Sequence, residues 1–279
     1  MFEMFPKFFT NQFPLVTYIN GLIEDSIINV VKTGPVPQHI ALVMDGNRRY
    51  AKVNGIQLRS GHDAGADALV DVLGCCYRVG VKAVTIYAFS IENFNRSQAE
   101  INTLLELLKQ KLLYLSDTSH YAERYNVRIN IVGNKDMIPD EFRSDLDKVE
   151  ELTRYHTKRT LNVCFPFTSR DDITSSIANV ANRVLSKELA VADINLQQVS
   201  NSVIDRTSPP LDILIRTSGH TRLSDFLTWQ LSQNPTSTVV FTNTLWPNFK
   251  FWQMMWILLT WSYYQAINAG EICIMTTND

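Results

Sequence analysis

Apolar positions fall into two periods along the chain. Six short runs rich in β-branched and aromatic residues recur at 39–45, 83–90, 127–133, 160–166, 211–216 and 238–245, and they read as strands. Most are almost continuously apolar rather than alternating, the pattern of parallel strands covered by helices on both faces. Between them the period lengthens. Leu69, Val72, Leu73 and Cys76 recur at helical spacing, and Ile101, Leu104, Leu105, Leu108 and Leu112 repeat it behind a capping-box start at Ser97 and Glu100. This alternation predicts an α/β fold, a single domain with a largely parallel six-stranded sheet flanked by helices.

The clearest boundary is Gly34-Pro35-Val36-Pro37, ahead of the first strand. It divides an N-terminal arm, 1–34, from a catalytic domain, 35–270, and leaves a C-terminal tail, 271–279. The arm carries Phe8, Phe9, Phe13, Leu15, Tyr18, Ile19 and Ile23, interrupted by Asn11, Gln12, Pro14 and Asn20. That is poor for a spanning helix but suits an amphipathic arm on a membrane surface, or a helix packed on the domain. A second uncharged tract, Phe251 to Gly270, holds Trp252, Trp256 and Trp261, and is diluted by Gln253, Thr260, Ser262, Gln265 and Asn268. It reads as a buried or subunit-contact helix rather than a membrane span.

Composition narrows the function only by exclusion. With 26 Lys+Arg against 28 Asp+Glu, the net charge of -2 gives no general attraction to nucleic acid. Cys75, Cys76, Cys164 and Cys273 lack C-x-x-C spacing and sit in apolar runs, which reads as reduced core thiols and no zinc site.

Ligands of open α/β sheets collect beyond the carboxyl ends of the strands, and three strands here end in polar clusters. The first runs into Asp45-Gly46-Asn47-Arg48-Arg49, a carboxylate beside a glycine and two guanidiniums, with Lys52 and Arg59 following. Guanidinium forks match phosphate oxygens, glycine allows close backbone approach, and a helix start offers N–H groups, so the segment reads as a diphosphate cradle. A lone acid in such a cluster suggests Mg2+ between carboxylate and phosphate; the alternative is that Asp45 pairs with Arg48 or Arg49 and caps the next helix. The second cluster supplies Ser90, Asn93 and Arg96. The fifth strand leads into Arg216-Thr217-Ser218-Gly219-His220-Thr221-Arg222-Leu223-Ser224, a candidate second phosphate site. Leucines on more than one face of the helix after Ser97, among them Leu107 and Leu113, suggest the wall of a hydrocarbon tunnel, with ordinary core as the alternative.

In order along the chain, HIALVMDGNRRYA, GHDAG, YAFSIENFNRS, FPFTSRDDI and LIRTSGHTRLSDFLTWQ resemble the successive signatures of the cis-prenyltransferases, over about residues 35–250. IENF and RTSG-x-x-RLSDF are most similar to eukaryotic dehydrodolichyl diphosphate synthase catalytic subunits. The resemblance implies an enzyme that adds isopentenyl diphosphate units in cis to farnesyl diphosphate, making a polyprenyl diphosphate precursor of dolichol. It implies Asp45 as the Mg2+-linked catalytic carboxylate, with Asn47, His62, Ser90 and Asn93 at the reaction centre. Gly46, Arg48, Arg49 and Arg96 would bind the allylic diphosphate, and Arg216, Arg222 and Ser224 that of isopentenyl diphosphate.

Three departures accompany the resemblance. Leu58, beside Arg59, stands where relatives often carry a basic residue before His62; no acid follows Trp229-Gln230; and the chain ends without the family's Arg-x-Gly motif. The last implies a heteromer with a non-catalytic homologous subunit resembling the Nogo-B receptor; the family resemblance implies the cytoplasmic face of the endoplasmic reticulum membrane, or lipid droplets, as its location. A non-catalytic scaffold and an unrelated phosphate-ester hydrolase are the rival classes; the paired phosphate clusters argue against the first and the lack of a second metal carboxylate cluster against the other.

Overall fold

The computed structural model of the chain describes residues 14–116, 122–203, 208–267 and 274–277. All six expected strands form: β1 (His39–Val43), β2 (Ala83–Tyr87), β3 (Val127–Val132), β4 (Arg159–Cys164), β5 (Ile213–Arg216) and β6 (Thr238–Thr242). They are joined by β7 (Ile274–Thr277), in the stretch expected to be only a tail. Four residues are too few to carry a periodic signal, although three of these are β-branched. The sheet order is β3-β4-β2-β1-β5-β6-β7, and every pairing is parallel.

The helices are α1 (Pro14–Val31), α2 (Asn47–Val53), α3 (Leu58–Val79), α4 (Gln98–Ser116), α5 (Ala122–Tyr125), α6 (Asp140–Thr153), α7 (Ser169–Leu185), α8 (Leu196–Ser200), α9 (Thr228–Gln233) and α10 (Phe251–Ile267). Continuous burial of β1 follows from cover on both faces. Ile40 and Leu42 enter a large core with α3, α4, α6 and α10, whereas Ala41 and Val43 enter a smaller one with Leu214, Phe226 and Leu227. Cys75, Cys76 and Cys164 are buried in these cores, and Cys273 lies outside the described residues.

Helix α1 packs its inner face, through buried Ile28 and Val31, against α3 and α10. Arg78 of α3 reaches back to Glu24 at 2.9 Å and Asp25 at 2.7 Å. Gly34 lies so close to α10 that a Cβ there would run into the Ser262 hydroxyl. The outer face of α1 exposes Tyr18, Ile19, Leu22 and Ile23; Phe8, Phe9, Phe13 and the Leu15 side chain lie outside the described part. Among the described residues no helix is long and apolar enough to cross a membrane.

One polar row crosses the sheet. Asn130 of β3 donates to Asn162 of β4 at 3.1 Å, Asn162 donates to Thr85 of β2 at 3.1 Å, and the Thr85 hydroxyl bonds His39 Nε2 of β1 at 2.7 Å. His39 Nδ1 lies 2.8 Å from the Pro209 carbonyl, so the imidazole is satisfied and structural. Burial holds its pKa at about 4, against a raising effect of the Pro209 bond. The unfolded chain therefore takes up a proton near pH 6.5 that the folded chain refuses until about pH 4, and stability falls as pH drops through that window. We expect the wild-type protein to lose about 3 kcal/mol more than His39→Gln across it, read by urea unfolding at several pH values; the raised pKa of nearby Asp212 is common to both proteins and cancels. Parallel stability curves for the two would contradict this.

Candidate active site

Strand register brings the chemistry to one edge. Val43 at the end of β1 pairs with Arg216, the last residue of β5, while Leu42 pairs with Ile86 of β2 on the other side. The connection after β1 runs one way across the sheet, to β2, and that after its neighbour β5 runs the other way, to β6; the gap at such a switch point is where α/β sheets accept ligands. A cavity of about 940 Å³ opens there. All of the residues expected at the site line it: Asp45, Gly46, Asn47, Arg48, Arg49 and His62 on the β1 side, Ser90, Asn93 and Arg96 after β2, and Arg216, Arg222 and Ser224 after β5.

The centre of the mouth is an ion pair. Arg216, with its side chain only 4% exposed, donates from one terminal nitrogen to Asp45 Oδ2 at 3.0 Å. Its other terminal nitrogen donates to the Arg222 carbonyl at 2.6 Å and the Ser224 hydroxyl at 2.7 Å, while its Nε is buried without a partner. Burial lowers the Arg216 pKa, and the Asp45 bond opposes that shift. Asp45 thus pairs across the sheet with Arg216, and not with Arg48 or Arg49. Nor does it cap α2, whose N-cap is Gly46 with no side-chain bond. Parallel register explains the difference, since it seats the β1 and β5 termini side by side.

Gly46 sits at φ +112°, crowded by Leu245 and the Ser218 hydroxyl, a backbone that a side chain would strain. It turns the chain into α2, where Arg49 donates to the Ser218 carbonyl at 2.9 Å and lies 2.7 Å from His220 Nε2. Asn47 tucks its Oδ1, buried without a partner, against Gly65 of the GHDAG motif, where a Cβ would collide with it. His62 is half-buried on α3 with Nε2 unpartnered. Burial, then Arg96 and Arg48, lowers its pKa against the opposing Glu100, which keeps the ring uncharged.

The residues after β2 hold one another. The Ser90 hydroxyl accepts from the Glu92 N–H at 3.2 Å, and Asn93 Oδ1 accepts from the Ser90 N–H at 3.0 Å, capping a short 3-10 turn. Arg96 bonds Glu100 at 2.7 Å, and Arg48 lies 4.0 Å from the same carboxylate. Ser97 accepts the Glu100 N–H at 3.4 Å, so half of the expected capping box forms while the Glu100 side chain serves Arg96 instead.

Below this mouth the lining turns apolar: Leu104, Leu107, Leu108, Leu112 and Leu115 of α4 face Leu69, Ile86 and Trp246. The tunnel wall expected from Leu107 and Leu113 is therefore half right. Leu113 points outward, 38% exposed, because it follows Leu112 by about 100° around the helix. The wall is mainly the periodic stripe itself. Sequence reasoning misses His220, Arg170, Glu92, Asp225 and Lys111, which also line the cavity, whereas Arg59 does not. The strand-end rule, applied to β4 as well, would find Arg170.

The donor set also bears on Mg2+. Among the described residues no cluster of three or more His, Cys, Asp or Glu could hold a metal. Glu100 is taken by Arg96, and Glu92 and Asp225 by Arg170. Asp45 is bonded to Arg216 through Oδ2, and its side chain, 36% exposed, keeps a side turned to the cavity where a cation could sit. A hard ion here would bind through one carboxylate, substrate oxygens and water, which fits Mg2+ and suits no protein-only cage.

Comparison with known proteins agrees with this geometry. The prenyltransferase family described as putative undecaprenyl diphosphate synthase matches residues 43–267. The chain is 40% identical over 253 residues to the dehydrodolichyl diphosphate synthase complex subunit SRT1 of Saccharomyces cerevisiae, covering 90% of this chain and 72% of that protein. It is 38% identical over 247 residues to the Homo sapiens complex subunit DHDDS, covering 88% and 73%. Among solved structures, lavandulyl diphosphate synthase from Lavandula x intermedia, crystallised with dimethylallyl diphosphate, superposes with a TM-score of 0.75 at 25% identity, covering 81% of this chain and 95% of that one. An arginine-lined mouth, a leucine-walled cavity and these relationships lead to one conclusion, that the chain belongs to the cis-prenyltransferase, or undecaprenyl diphosphate synthase, family.

Proposed function

We propose that the protein is the catalytic subunit of a dehydrodolichyl diphosphate synthase, extending farnesyl diphosphate with isopentenyl diphosphate units in cis to a long polyprenyl diphosphate. The observation that carries this reading is a single cavity with a cationic mouth and a hydrocarbon wall. Eight arginine and lysine side chains line it against three carboxylates, although the whole chain carries a net charge of -2. Such a mouth selects diphosphates, and the leucines below it select an isoprenoid tail.

In each condensation the allylic carbon–oxygen bond breaks, a carbon–carbon bond forms from the isopentenyl double bond, and one proton leaves to restore a double bond. Negative charge grows on the departing diphosphate. Arg48, Arg49 and the backbone at Gly46 and Asn47 bind it, Arg96 supports that edge, and uncharged His62 offers Nε2 to it without adding charge. Asn93 and Ser90 fix the edge of the reaction centre between the two substrates. Arg216, Arg222 and Ser224 hold the isopentenyl diphosphate, their donors organised in advance by bonds to one another. Asp45 is the residue that would hold Mg2+, which when bound would neutralise diphosphate charge. The leucine wall excludes water from the carbon centres.

The outer face of α10 exposes Trp252 and Trp256, 60% and 64% accessible, together with Tyr263. We assign this face to a non-catalytic homologous subunit; the yeast and human relatives are themselves named as complex subunits. The outer face of α1, with Tyr18, Ile19, Leu22 and Ile23, is assigned to a membrane surface, that of the endoplasmic reticulum for a dolichol precursor.

Asp45→Asn keeps a hydrogen-bond acceptor for Arg216 but leaves that buried guanidinium without its counter-charge, so kcat should fall about 10³-fold and the melting temperature should drop as well. Incorporation of labelled isopentenyl diphosphate, with and without Mg2+ and partner, measures this; undiminished turnover would refute the role, and phosphate release without chain growth would point to a hydrolase. Leu108→Trp fills the wall at mid-helix and should shift the products to shorter chains in mass spectra of the extracted lipids.

A further inference from the structure

Arg170 opens α7 beyond the end of β4 and is used by none of the roles above. Its surroundings are unusual. Ser224, Asp225 and Leu227 all adopt left-handed backbone, with φ of 52°, 59° and 48°, although none is glycine. Such conformations persist only where neighbours hold them, and here they aim the Ser224 hydroxyl at Arg216, 2.7 Å away, and at Arg222 Nε, 3.2 Å away.

The start of α7 supplies the restraint. Arg170 forks onto Asp225, its backbone N–H donating to Oδ1 at 3.1 Å and its Nε to Oδ2 at 2.7 Å. The Ser169 N–H donates to the Asp225 carbonyl at 2.8 Å, and the Ser169 hydroxyl accepts from the Thr228 N–H at 3.0 Å. A terminal nitrogen of Arg170 then reaches across the cavity mouth to Glu92 at 3.1 Å. Glu92 lies inside the turn capped by Ser90 and Asn93. One guanidinium thus joins the loop after β5 to the turn after β2, while its own side chain is 76% exposed and adds little to the core.

We propose that Arg170 is a positioning residue for the isopentenyl diphosphate subsite, tying the Arg222–Ser224 loop to the Ser90–Asn93 turn so that the two substrates meet at a fixed separation. The inference rests on the assignment of Arg216, Arg222 and Ser224 to that diphosphate. Individually, exposed ion pairs are weak. Here the consequence is geometric, because the tether restrains a strained loop whose polar atoms must face the ligand.

Steady-state kinetics of the enzyme assembled with its partner subunit, with farnesyl and isopentenyl diphosphates varied in turn, test this. Arg170→Ala should raise KM for isopentenyl diphosphate about 10-fold and that for farnesyl diphosphate less than about 2-fold, with an unchanged melting temperature. Arg170→Lys should fail to rescue, since one ammonium cannot span both carboxylates. Glu92→Ala should raise the same KM about 3-fold alone and add nothing in the Arg170→Ala background. Full rescue by lysine would mean that Arg170 acts as a charge for phosphate and would overturn the proposal, as would equal changes in both KM values or a silent Glu92→Ala. Arg222→Ala separates the two levels of inference. If it raises KM for isopentenyl diphosphate while Arg170→Ala does not, only the tether fails; if it leaves that KM untouched, the subsite assignment itself is wrong.

Discussion

The Asp45–Arg216 pair is the contact around which the site is organised. Parallel register between β1 and β5 sets the two termini side by side, and the pair forms there at 3.0 Å. Arg216 is almost fully buried, and a buried guanidinium without a counter-charge costs several kcal/mol, about 3–5 when one partner is removed. Asp45 is more exposed than its partner and so can face both ways, toward the guanidinium and toward a cation with its diphosphate. The fold therefore holds the Asp45 carboxylate in place beside a buried positive charge. The unpartnered Arg216 Nε, His62 Nε2, Ser218 hydroxyl and Asn47 Oδ1 belong to the same neighbourhood. Buried polar atoms without partners are costly, and a polar ligand relieves them.

Much of the fold is legible in the sequence because it follows from periodicity. Apolar runs mark β1 to β6 and their parallel cover, and the helical stripes mark α3 and α4. The site is legible because its residues sit where strands run out, so that chain order and strand ends alone assign Asp45, Ser90 and Arg216 to one edge. Pairing across that edge is not legible. The partner of Asp45 lies 171 positions away, and local spacing favours Arg48 or Arg49. The same limit hides His220, which reaches the Arg49 guanidinium, and Arg170, whose partners come from two other loops. The polar row from Asn130 to His39 is invisible in the sequence because single polar residues inside apolar runs look like noise until register aligns them.

Strain and charge are placed together at the mouth. Positive backbone angles at Gly46, Ser218, Gly219, Ser224, Asp225 and Leu227 cluster in the loops that meet the cavity. Glycine takes such angles at little cost, but the serines, Asp225 and Leu227 do not. Their retention makes sense only if the loops must present donors rather than relax, and the Arg216 hydrogen bond to Ser224 and the Arg170 ion pair with Asp225 are the means. An excess of guanidinium groups at one edge is repulsive in the empty protein, so the bound diphosphates complete the electrostatics as much as they exploit them.

The hydrocarbon side follows a different arithmetic. Leu104 and Leu108 of α4 are only partly buried, so the wall is finished by whatever lies against it. Burying each methylene-sized group stabilises a bound chain by about 0.8 kcal/mol. One added five-carbon unit therefore contributes up to about 4 kcal/mol while it still finds protein to cover it. Affinity for the growing product rises with every condensation, and release slows until the tail outgrows the wall. A chain that leaves into water would forfeit all of that burial, whereas a chain that leaves into lipid forfeits almost none. Product release thus favours an apolar acceptor close to the enzyme, and on the assignment proposed above the exposed outer residues of α1, Tyr18, Ile19, Leu22 and Ile23, would be the face that rests on one.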